Sequence, residues 1–481
     1  MRQLPVGPLV RSGRLTAVAK RSAAVVLALG MGGCQVAQLP PAAGGQQTSS
    51  PRSVIVQLFE WRWSDIAQEC EAWLGPRGYG AVQISPPQER WEIKQEAINF
   101  SEQHYQPVGY TRLSRSGSRA ELVDMISRCQ RAGIRVYADM VVNPTAATCD
   151  LEPCGYDGSE TAGHPALGTD SKEVQAEIAG AMNELLALGV AGFRIDSASQ
   201  MSPQHLASIL SRLHPLNPQF YPNGGYPFVY QEVDSTAEAD AYFGNGAVTE
   251  FRYGRNLGEQ VRYGQLKNLM LFGEAWGLIP SHKAVIFTDN PDTQRSRDRN
   301  IVSFYAPRDE GNSYRLANVF MLAWPYGIPK VMSSYDWSRT PGAGPPVDDQ
   351  GQTLSVGCGE AWVCEHRWPD IASMVEFHNV TQGAPTVDHW WDNGNNQIAF
   401  ARGDRGFVAI NNEETALSET LMTGLPAGIY CNVLALPETG DASNGTLDTC
   451  EYETVEVDSV GNASIEVSPH QALALHVGAR R

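Results

Sequence analysis

The sequence predicts a closed (β/α)8 barrel followed by a smaller antiparallel β-domain, on three observations. The chain has 481 residues, which is more than one hydrophobic core normally accommodates, so a large domain plus a smaller one is expected. From residue 54 onward, short apolar runs alternate with helical patterns, as parallel βαβ units require. Beyond about residue 385, short strand-like runs separated by turn residues replace the long helical patterns.

Eight runs rich in apolar and β-branched residues are expected to form the barrel strands. They are Val54–Phe59, Ala81–Ile84, Ile134–Ala138, Val190–Ile195, Phe228–Tyr230, Ala247–Phe251, Ala284–Phe287 and Pro329–Met332. Helical patterns such as residues 120–131 and 174–188 lie between them, and eight such units close a barrel. A doubly wound open sheet is the alternative, but no Gly-rich phosphate-binding loop follows the first strand. We therefore expect the barrel over residues 52–385 and the β-domain over residues 386–481.

The N-terminus predicts export. An apolar run over residues 23–31 follows the basic residues Arg11, Arg14, Lys20 and Arg21, as in a signal peptide, which we expect to span residues 1–33. The small residues before Cys34 resemble the site where a bacterial signal peptidase leaves a lipid-modified cysteine; a simple secretory signal cut elsewhere is the alternative. Residues 34–51, rich in Pro, Gly, Gln and Ser, have the composition of a flexible tether.

The formal net charge of −17 argues against a nucleic acid or an anionic membrane surface as partner, and it is compatible with a neutral glycan. No later stretch is long and apolar enough to span a bilayer. Membrane contact is therefore expected only through the lipid on Cys34. The protein is expected to be a monomer, held in the bacterial cell envelope or secreted.

Cysteine usage fits an oxidising compartment. Nine cysteines provide one for the lipid and eight that can form four disulfides. Short loops favour three of the pairs and leave two cysteines for the fourth. The predicted pairs are Cys149 with Cys154, Cys358 with Cys364, Cys431 with Cys450, and Cys70 with Cys129. Metal binding by these cysteines is the disfavoured alternative.

Acidic residues follow four of the predicted strands, where barrel enzymes place their catalytic groups. They are Asp139, Asp196, Glu232 and Asp292. One acid at a strand end is more often a loop cap or an ion-pair partner, but four around one barrel mouth indicate an active site. Hydrolysis of a glycosidic bond with retention needs one carboxylate as nucleophile and a second carboxyl group as acid and base.

The neighbours of these acids suggest their roles. Arg194, two residues before Asp196, points to the same side of its strand and would keep Asp196 ionised, as a nucleophile requires. Glu232 has no cation beside it in the sequence and suits the proton donor. Asp292 is available to stabilise the positive charge of the transition state.

These residues lie in motifs that resemble the α-amylase family of glycoside hydrolases, closely its chloride-dependent, animal-type branch, which includes bacterial members. The resemblance covers residues 54–481. Its motifs are LFEW (58–61), QISPP (83–87), YQPV (105–108), GVAGFRID (189–196), YQEV (230–233), YFGNG (242–246), VMSSY (331–335) and CEHRW (364–368). The resemblance implies a C-terminal β-sandwich and an α-glucan substrate.

The same resemblance implies residue roles that agree with the reasoning from the acids. It makes Asp196 the nucleophile, Glu232 the acid/base and Asp292 the transition-state stabiliser. The residues expected to contact substrate are Tyr105, Asp139 and Arg194. The residues expected to bind chloride are Arg194, Asn290 and Lys330. A Lys330 that only pairs with a neighbouring acid is the alternative.

The sequence departs from the family at several positions. Pro144 and Pro291 stand where the family has histidines that hydrogen-bond the sugar, and proline offers no donor. Ser101 and Glu102 replace paired tryptophans, which leaves Tyr105 as the aromatic platform. In the same family comparison, Ser199 and Gln200 replace a lysine and a histidine. The short insertion at residues 144–170 after the third strand replaces a longer domain that supplies calcium ligands.

Only Asn143 matches a calcium ligand of the family, although Asp150, Glu152, Asp157 and Glu160 could rebuild a site. The three surviving carboxylates favour an active hydrolase of starch-type or glycogen-type glucans. One alternative is a catalytically weakened lipoprotein that binds glucan. Another is a hydrolase or transglycosylase with altered specificity for α-glycosides.

Overall fold

A computed structural model of the chain describes residues 52–90, 107–109, 116–142, 156–161, 164–296, 298–305, 312–337, 344–349, 352–435 and 452–481. The predicted signal peptide, Cys34 and the tether lie outside these residues. So do Tyr105, Asn143, Pro144 and the cysteines at 149, 154 and 450.

The strands and helices alternate along the first three quarters of the chain. In chain order the strands are β1 (Ile55–Leu58), β2 (Ala81–Ile84), β3 (Glu89–Arg90), β4 (Pro107–Gly109), β5 (Arg135–Val141), β6 (Tyr156–Thr161), β7 (His164–Leu167), β8 (Gly192–Asp196), β9 (Phe228–Gln231), β10 (Ala247–Thr249), β11 (Ala284–Ile286), β12 (Ile328–Ser333), β13 (Asp388–Asp392), β14 (Gln397–Arg402), β15 (Gly406–Asn411), β16 (Leu417–Met422), β17 (Gly428–Cys431), β18 (Thr454–Val457), β19 (Asn462–Val467) and β20 (Gln471–His476). The α-helices are α1 (Trp63–Glu69), α2 (Arg119–Arg131), α3 (Lys172–Leu188), α4 (Pro203–Leu210), α5 (Thr236–Tyr242), α6 (Phe251–Arg262), α7 (Pro291–Arg295), α8 (Asn312–Ala323) and α9 (Pro369–Thr381). Short helical turns at Cys70–Leu74, Ala198–Gln200, Leu266–Leu271, Glu274–Trp276, Ser281–Lys283, Glu365–Arg367 and Val477–Ala479 complete the set.

Eight parallel strands close a barrel in the order β1-β12-β11-β10-β9-β8-β5-β2. All eight strands predicted from the sequence are therefore confirmed, and the open sheet is excluded. Successive helices begin where the sequence provides caps: Ser118 forms a capping box with Glu121 at the start of α2, and Ser171 caps α3. The two-stranded sheet β6–β7 lies within the short insertion after the third barrel strand.

Alternate residues of each barrel strand point inward. At the lower end of the barrel these residues form an apolar cluster, in which Ile55, Tyr137, Tyr230 and Val285 are buried. Towards the carboxyl ends of the strands the inward side chains are polar or charged, although they are also buried. This polar layer supports the functional site.

The C-terminal region is antiparallel, as predicted. A four-stranded sheet, β13-β14-β15-β20, packs on the two-stranded sheets β16–β19 and β17–β18. Every residue of β14 is buried, because the sheet has two covered faces: Phe400 faces the barrel and contacts Phe320 of α8, whereas Ala399 and Ala401 face the smaller sheets. The result is the expected sandwich of two β-layers.

Two predicted disulfides are present, Cys70 with Cys129 and Cys358 with Cys364. Cys431 is disulfide-bonded, and its predicted partner lies outside the described residues. The pair of Cys149 with Cys154 also lies outside them and stays a prediction. Among the residues that the structure describes, no helix is both long and apolar enough to cross a membrane.

Candidate active site

The structure brings the predicted acids together at the carboxyl ends of the barrel strands. Asp196 is the last residue of β8 and Glu232 directly follows β9. Asp292 lies on α7, after β11. Each carboxylate is mostly buried, and the three are close enough for their charges to act on one another. The acids that follow the predicted strands therefore lie close together in the structure.

Arg194 lies at the centre of this cluster. Its Nη1 donates to both carboxylate oxygens of Asp139 at 2.8 Å and to Oδ1 of Asp196 at 2.6 Å. Its Nη2 forms an ion pair with Oε1 of Glu232. Arg194 is only 5% exposed, and its guanidinium therefore contacts three buried carboxylates.

The expectation that Glu232 has no neighbouring cation is thus wrong. The cation that contacts Glu232 comes from the adjacent strand, since Arg194 of β8 pairs in register with Tyr230 of β9. Glu232 also accepts a hydrogen bond from the backbone N–H of Ser197, with 2.9 Å between the heavy atoms. The parallel order of β8 and β9 was the signal that could have placed Arg194 beside both acids.

These contacts set the direction of each pKa. Burial raises the pKa of Asp196 well above its usual range, and although Arg194 opposes this, the neighbouring carboxylates reinforce it. Burial also acts on Glu232, but Arg194, the Ser197 N–H and Lys330 outweigh it and lower the pKa of Glu232. Burial and the charge of Glu232 raise the pKa of Asp292. Without an added ligand, the expectation that Arg194 keeps Asp196 ionised is therefore wrong, because burial and the neighbouring carboxylates outweigh the guanidinium. Glu232, in turn, holds its proton less tightly than a proton donor should.

Two side chains that sequence reasoning missed support Asp139. Gln83 on β2 donates from Nε2 to Oδ2 of Asp139 at 3.1 Å. Tyr230 on β9 donates from its hydroxyl to Oε1 of Gln83 at 2.5 Å. Both are fully buried, so this chain of hydrogen bonds fixes Asp139 under Arg194. Polar residues at inward positions of otherwise apolar strands were the signal for them.

The three residues predicted to bind an anion lie on β8, on β12 and at the start of α7. Arg194, Asn290 and Lys330 are all buried. Asn290 uses its Oδ1 to cap α7, accepting from the N–H groups of Asp292 and Thr293, which leaves its amide nitrogen as a donor. Lys330 donates to Oε1 of Gln57 at 2.7 Å. Burial and the nearby charge of Arg194 lower the pKa of Lys330 to about 8, so the two buried cations are close enough to repel each other.

Pro291 occupies the first position of α7. Proline suits this position because its backbone nitrogen needs no hydrogen-bond partner there and its fixed φ is helical. The turn that carries Asp292 is therefore intact, although the imidazole donor of the family is absent at residue 291. Tyr105, Asn143 and Pro144 lie outside the described residues, as do Ser101 and Glu102.

Comparison with known proteins decides the family. The chain is 40% identical to pancreatic α-amylase 2a5 of Mus musculus over 486 residues, which cover 88% of this chain and 93% of that protein. It is 39% identical to α-amylase 1B of Homo sapiens with the same coverage. The chain belongs to the α-amylase family. It is thus a glycoside hydrolase of the α-amylase type, with the (β/α)8 barrel of that family.

Two further comparisons agree with this membership. Residues 388–478 match the family model described as the α-amylase C-terminal all-beta domain. Among solved structures, a complex of α-amylase I from Eisenia fetida with maltohexaose has a TM-score of 0.81 and 36% identity, covering 90% of this chain and 99% of that one. The α-amylase fold thus extends through both the barrel and the β-domain.

Proposed function

We propose that this α-amylase-type hydrolase cleaves internal α-1,4-glucosidic bonds of starch-type or glycogen-type glucans with retention of configuration. The observation that supports the proposal is the convergence of Asp196, Glu232 and Asp292 around Arg194 at the barrel mouth. A retaining glycosidase needs a nucleophile and an acid/base on opposite sides of the bond, and a third carboxylate suits a cationic transition state.

Each residue has one task in this reaction. Asp196 attacks the anomeric carbon, and the C–O bond to the leaving sugar breaks as Glu232 donates its proton to that oxygen. Water then attacks the covalent intermediate, Glu232 takes a proton from that water, and Asp196 is released. Arg194 holds Asp196 in place, and Asp292 stabilises the positive charge on the sugar ring. Tyr105 is proposed as the stacking platform for that sugar.

We also propose that Arg194, Asn290 and Lys330 bind chloride. The donor set fits an anion, because it combines two cations and an amide in a buried space, and the repulsion between Arg194 and Lys330 would be relieved there. A chloride bound there would supply a negative charge that offsets the cations acting on Glu232 and raises its pKa towards that of a proton donor.

A calcium ion has weaker support. Among the described side chains, no group of three or more His, Cys, Asp or Glu could hold a metal. The proposed ligand Asn143 and the acids of residues 144–170 have no described side chains. No step of the proposed reaction involves calcium. Export through the signal at residues 1–33, with a lipid on Cys34 as membrane anchor, also stays a proposal.

The second candidate is a glucan-binding lipoprotein with weakened catalysis, and Pro291 favours it because a hydrogen-bond donor to the sugar is lost at that position. The deciding experiment measures reducing-sugar release from soluble starch and maltoheptaose by residues 35–481, with and without chloride and calcium. A folded Glu232→Gln variant is the control. Release that disappears in this variant supports hydrolysis, whereas no release by the unsubstituted, folded chain, with retention on starch, supports the binding protein. Products other than shorter linear glucans would indicate altered specificity.

A further inference from the structure

Asp292 lies on a helical turn that cannot hold its own shape. The helix α7 has only five residues, Pro291–Arg295, and isolated helices of that length are unstable in water. Its orientation must therefore come from contacts with the rest of the protein. Asn290 caps its start, and Gln294, only 5% exposed, is buried on its other side.

The side-chain amide of Gln294 is fully engaged. Its Nε2 donates to Oδ2 of Asp289 at 2.8 Å and to the hydroxyl of Ser334 at 3.3 Å. Its Oε1 accepts from Nε1 of Trp337 at 3.2 Å. With both N–H groups and the carbonyl bound, only one orientation of the amide satisfies all partners. The turn that carries Asp292 is thus attached to the ends of β11 and β12.

The hydrogen bonds continue from Ser334 to Glu365. Ser334 donates its backbone N–H to Oε2 of Glu365 at 2.7 Å and its hydroxyl to Oε1. Glu365 begins the short helical turn after Cys364, and the disulfide to Cys358 closes that loop. The network therefore connects the catalytic turn to a loop that lies 70 residues further along the chain.

None of these side chains can touch a glucan. The network consists of five residues whose exposed fractions lie between 0% and 6%: Asp289, Gln294, Ser334, Trp337 and Glu365. A buried polar network in which each group has a partner makes its surroundings rigid, because any rearrangement leaves a polar group unpaired. Because Gln294 belongs to α7, a rigid network restricts the movement of the turn that carries Asp292.

We propose that Gln294 is a positioning residue, which sets the orientation of the Asp292 carboxylate through the network of Asp289, Ser334 and Glu365. The inference rests on the proposed function, since the orientation of the Asp292 carboxylate affects the rate of glycoside hydrolysis only if the protein catalyses that reaction. Removing the polar contacts of Gln294 should allow α7 to shift, and a displacement near 1 Å in an active site can cost about 100-fold in rate.

The test compares two buried glutamines. Gln294→Met keeps the volume and removes every hydrogen bond, and we expect kcat on maltoheptaose to fall about 10- to 100-fold with a smaller change in KM. Gln175→Met is the matched control: Gln175 of α3 is 4% exposed and donates to the carbonyl of Thr169 at 2.8 Å. It should lower the melting temperature and leave kcat unchanged. Unchanged kcat in both variants would overturn the proposal.

A double-mutant cycle separates positioning from general damage. If Gln294 acts through Asp292, then adding Gln294→Met to Asp292→Asn should lower kcat no further, because the group being positioned is already disabled. If the two losses multiply instead, Gln294 does not act through Asp292. This readout does not depend on how much stability either variant loses.

A milder pair of variants covers the case in which Gln294→Met does not fold. Trp337→Phe keeps an aromatic ring but removes the N–H donated to Gln294 together with part of the ring that Arg295 of α7 faces, and we expect a lower kcat. Trp324→Phe is its control, because Trp324 is equally buried and donates to the carbonyl of Phe272 at 2.7 Å, on the side of the barrel that faces the β-domain. Equal kcat in both overturns the inference alone, whereas an inactive unsubstituted chain overturns the proposed hydrolysis and the inference together.

Discussion

The guanidinium of Arg194 forms an ion pair with Glu232 on the neighbouring strand, in addition to its contact with Asp196 on its own strand. The proposed nucleophile and the proposed proton donor therefore share one cation. A shared cation favours the ionised form of both, yet the reaction needs Glu232 protonated. A negative charge that offsets Arg194 and Lys330 should therefore raise the pKa of Glu232 and assist catalysis. This is the physical basis of the chloride proposal.

The chloride proposal predicts a dependence on Lys330. Lys330→Met should abolish any activation by chloride, because one of the two cations is lost, while Lys330→Arg should keep it. Chloride titrations of starch hydrolysis at pH 7 measure both. Activation that survives in Lys330→Met would show that the anion binds elsewhere.

The pH dependence of this activation should follow the charge of Lys330. Its pKa is about 8 because of burial and of Arg194, while Asp139, Glu232 and Asp289 act in the opposite direction. As pH rises through 8 the lysine loses its charge, so chloride should bind more weakly at pH 9 than at pH 7. An arginine at this position stays charged, so Lys330→Arg should show little loss. Equal weakening in both proteins would assign the effect to another group.

Replacing Pro291 by histidine should increase the activity. Pro291→His provides a donor at a helix position that accepts either residue, and hydrogen bonds to sugar hydroxyls that strengthen in the transition state raise the rate of glycoside hydrolysis. We expect kcat on maltoheptaose to rise about tenfold. A kcat that is unchanged in the folded variant would mean that the imidazole has no place to act in this site.

Acid stability should depend on Glu69. Burial alone would raise its pKa, but hydrogen bonds and charges from His366 and Arg367 lower it to about 2. Because the folded pKa lies below the unfolded value of 4.5, Glu69 stabilises the fold above pH 4.5, and this contribution is lost as pH falls towards 2. Glu69→Gln should cost roughly 3 kcal/mol of unfolding free energy at pH 7, measured by urea denaturation.

The neighbouring acid Glu71 provides the matched control for Glu69. It pairs with Arg128 at the protein surface, where solvent screens the interaction. Glu71→Gln should therefore change the stability little at any pH. A similar loss in the two variants would show that burial of Glu69 with its partners is not the cause.

The contribution of Glu365 to the stability of the fold should change with pH in the opposite direction to that of Glu69. Burial raises the pKa of Glu365 to about 7 and has the same effect on the pKa of Asp289. Hydrogen bonds from Ser334 oppose the shift of Glu365. A hydrogen bond with Tyr314 and the charge of Lys330 oppose the shift of Asp289. Between about pH 4 and 7 the folded state holds protons that the unfolded state has released, so stability should fall as pH rises through this window. Glu365→Gln should make the melting temperature less dependent on pH between 5 and 7. An unchanged dependence would contradict the assignment.

The barrel strands were predictable because each is a short apolar run between helical patterns, and all eight were found at or within a few residues of their predicted bounds. The acids could be placed because a parallel barrel brings the carboxyl ends of its strands to one face. Gln83 and Gln294 were not predicted. The inward position of Gln83 on an apolar strand marks it as a buried polar residue, but its partner Asp139 lies on the neighbouring strand. The contacts of Gln294 with Ser334 and Trp337 join segments far apart in the chain.

By itself the sequence determined the fold class, the acidic cluster, the paired cysteines at 70 with 129 and 358 with 364, and the α-amylase resemblance, because these depend on periodicity, spacing and local motifs. Only the tertiary structure decided which charges meet. Arg194 reaches Glu232, and Gln294 reaches Ser334, through the packing of segments far apart in the chain. A pKa depends on such contacts and on burial, and both exist only after the barrel has closed.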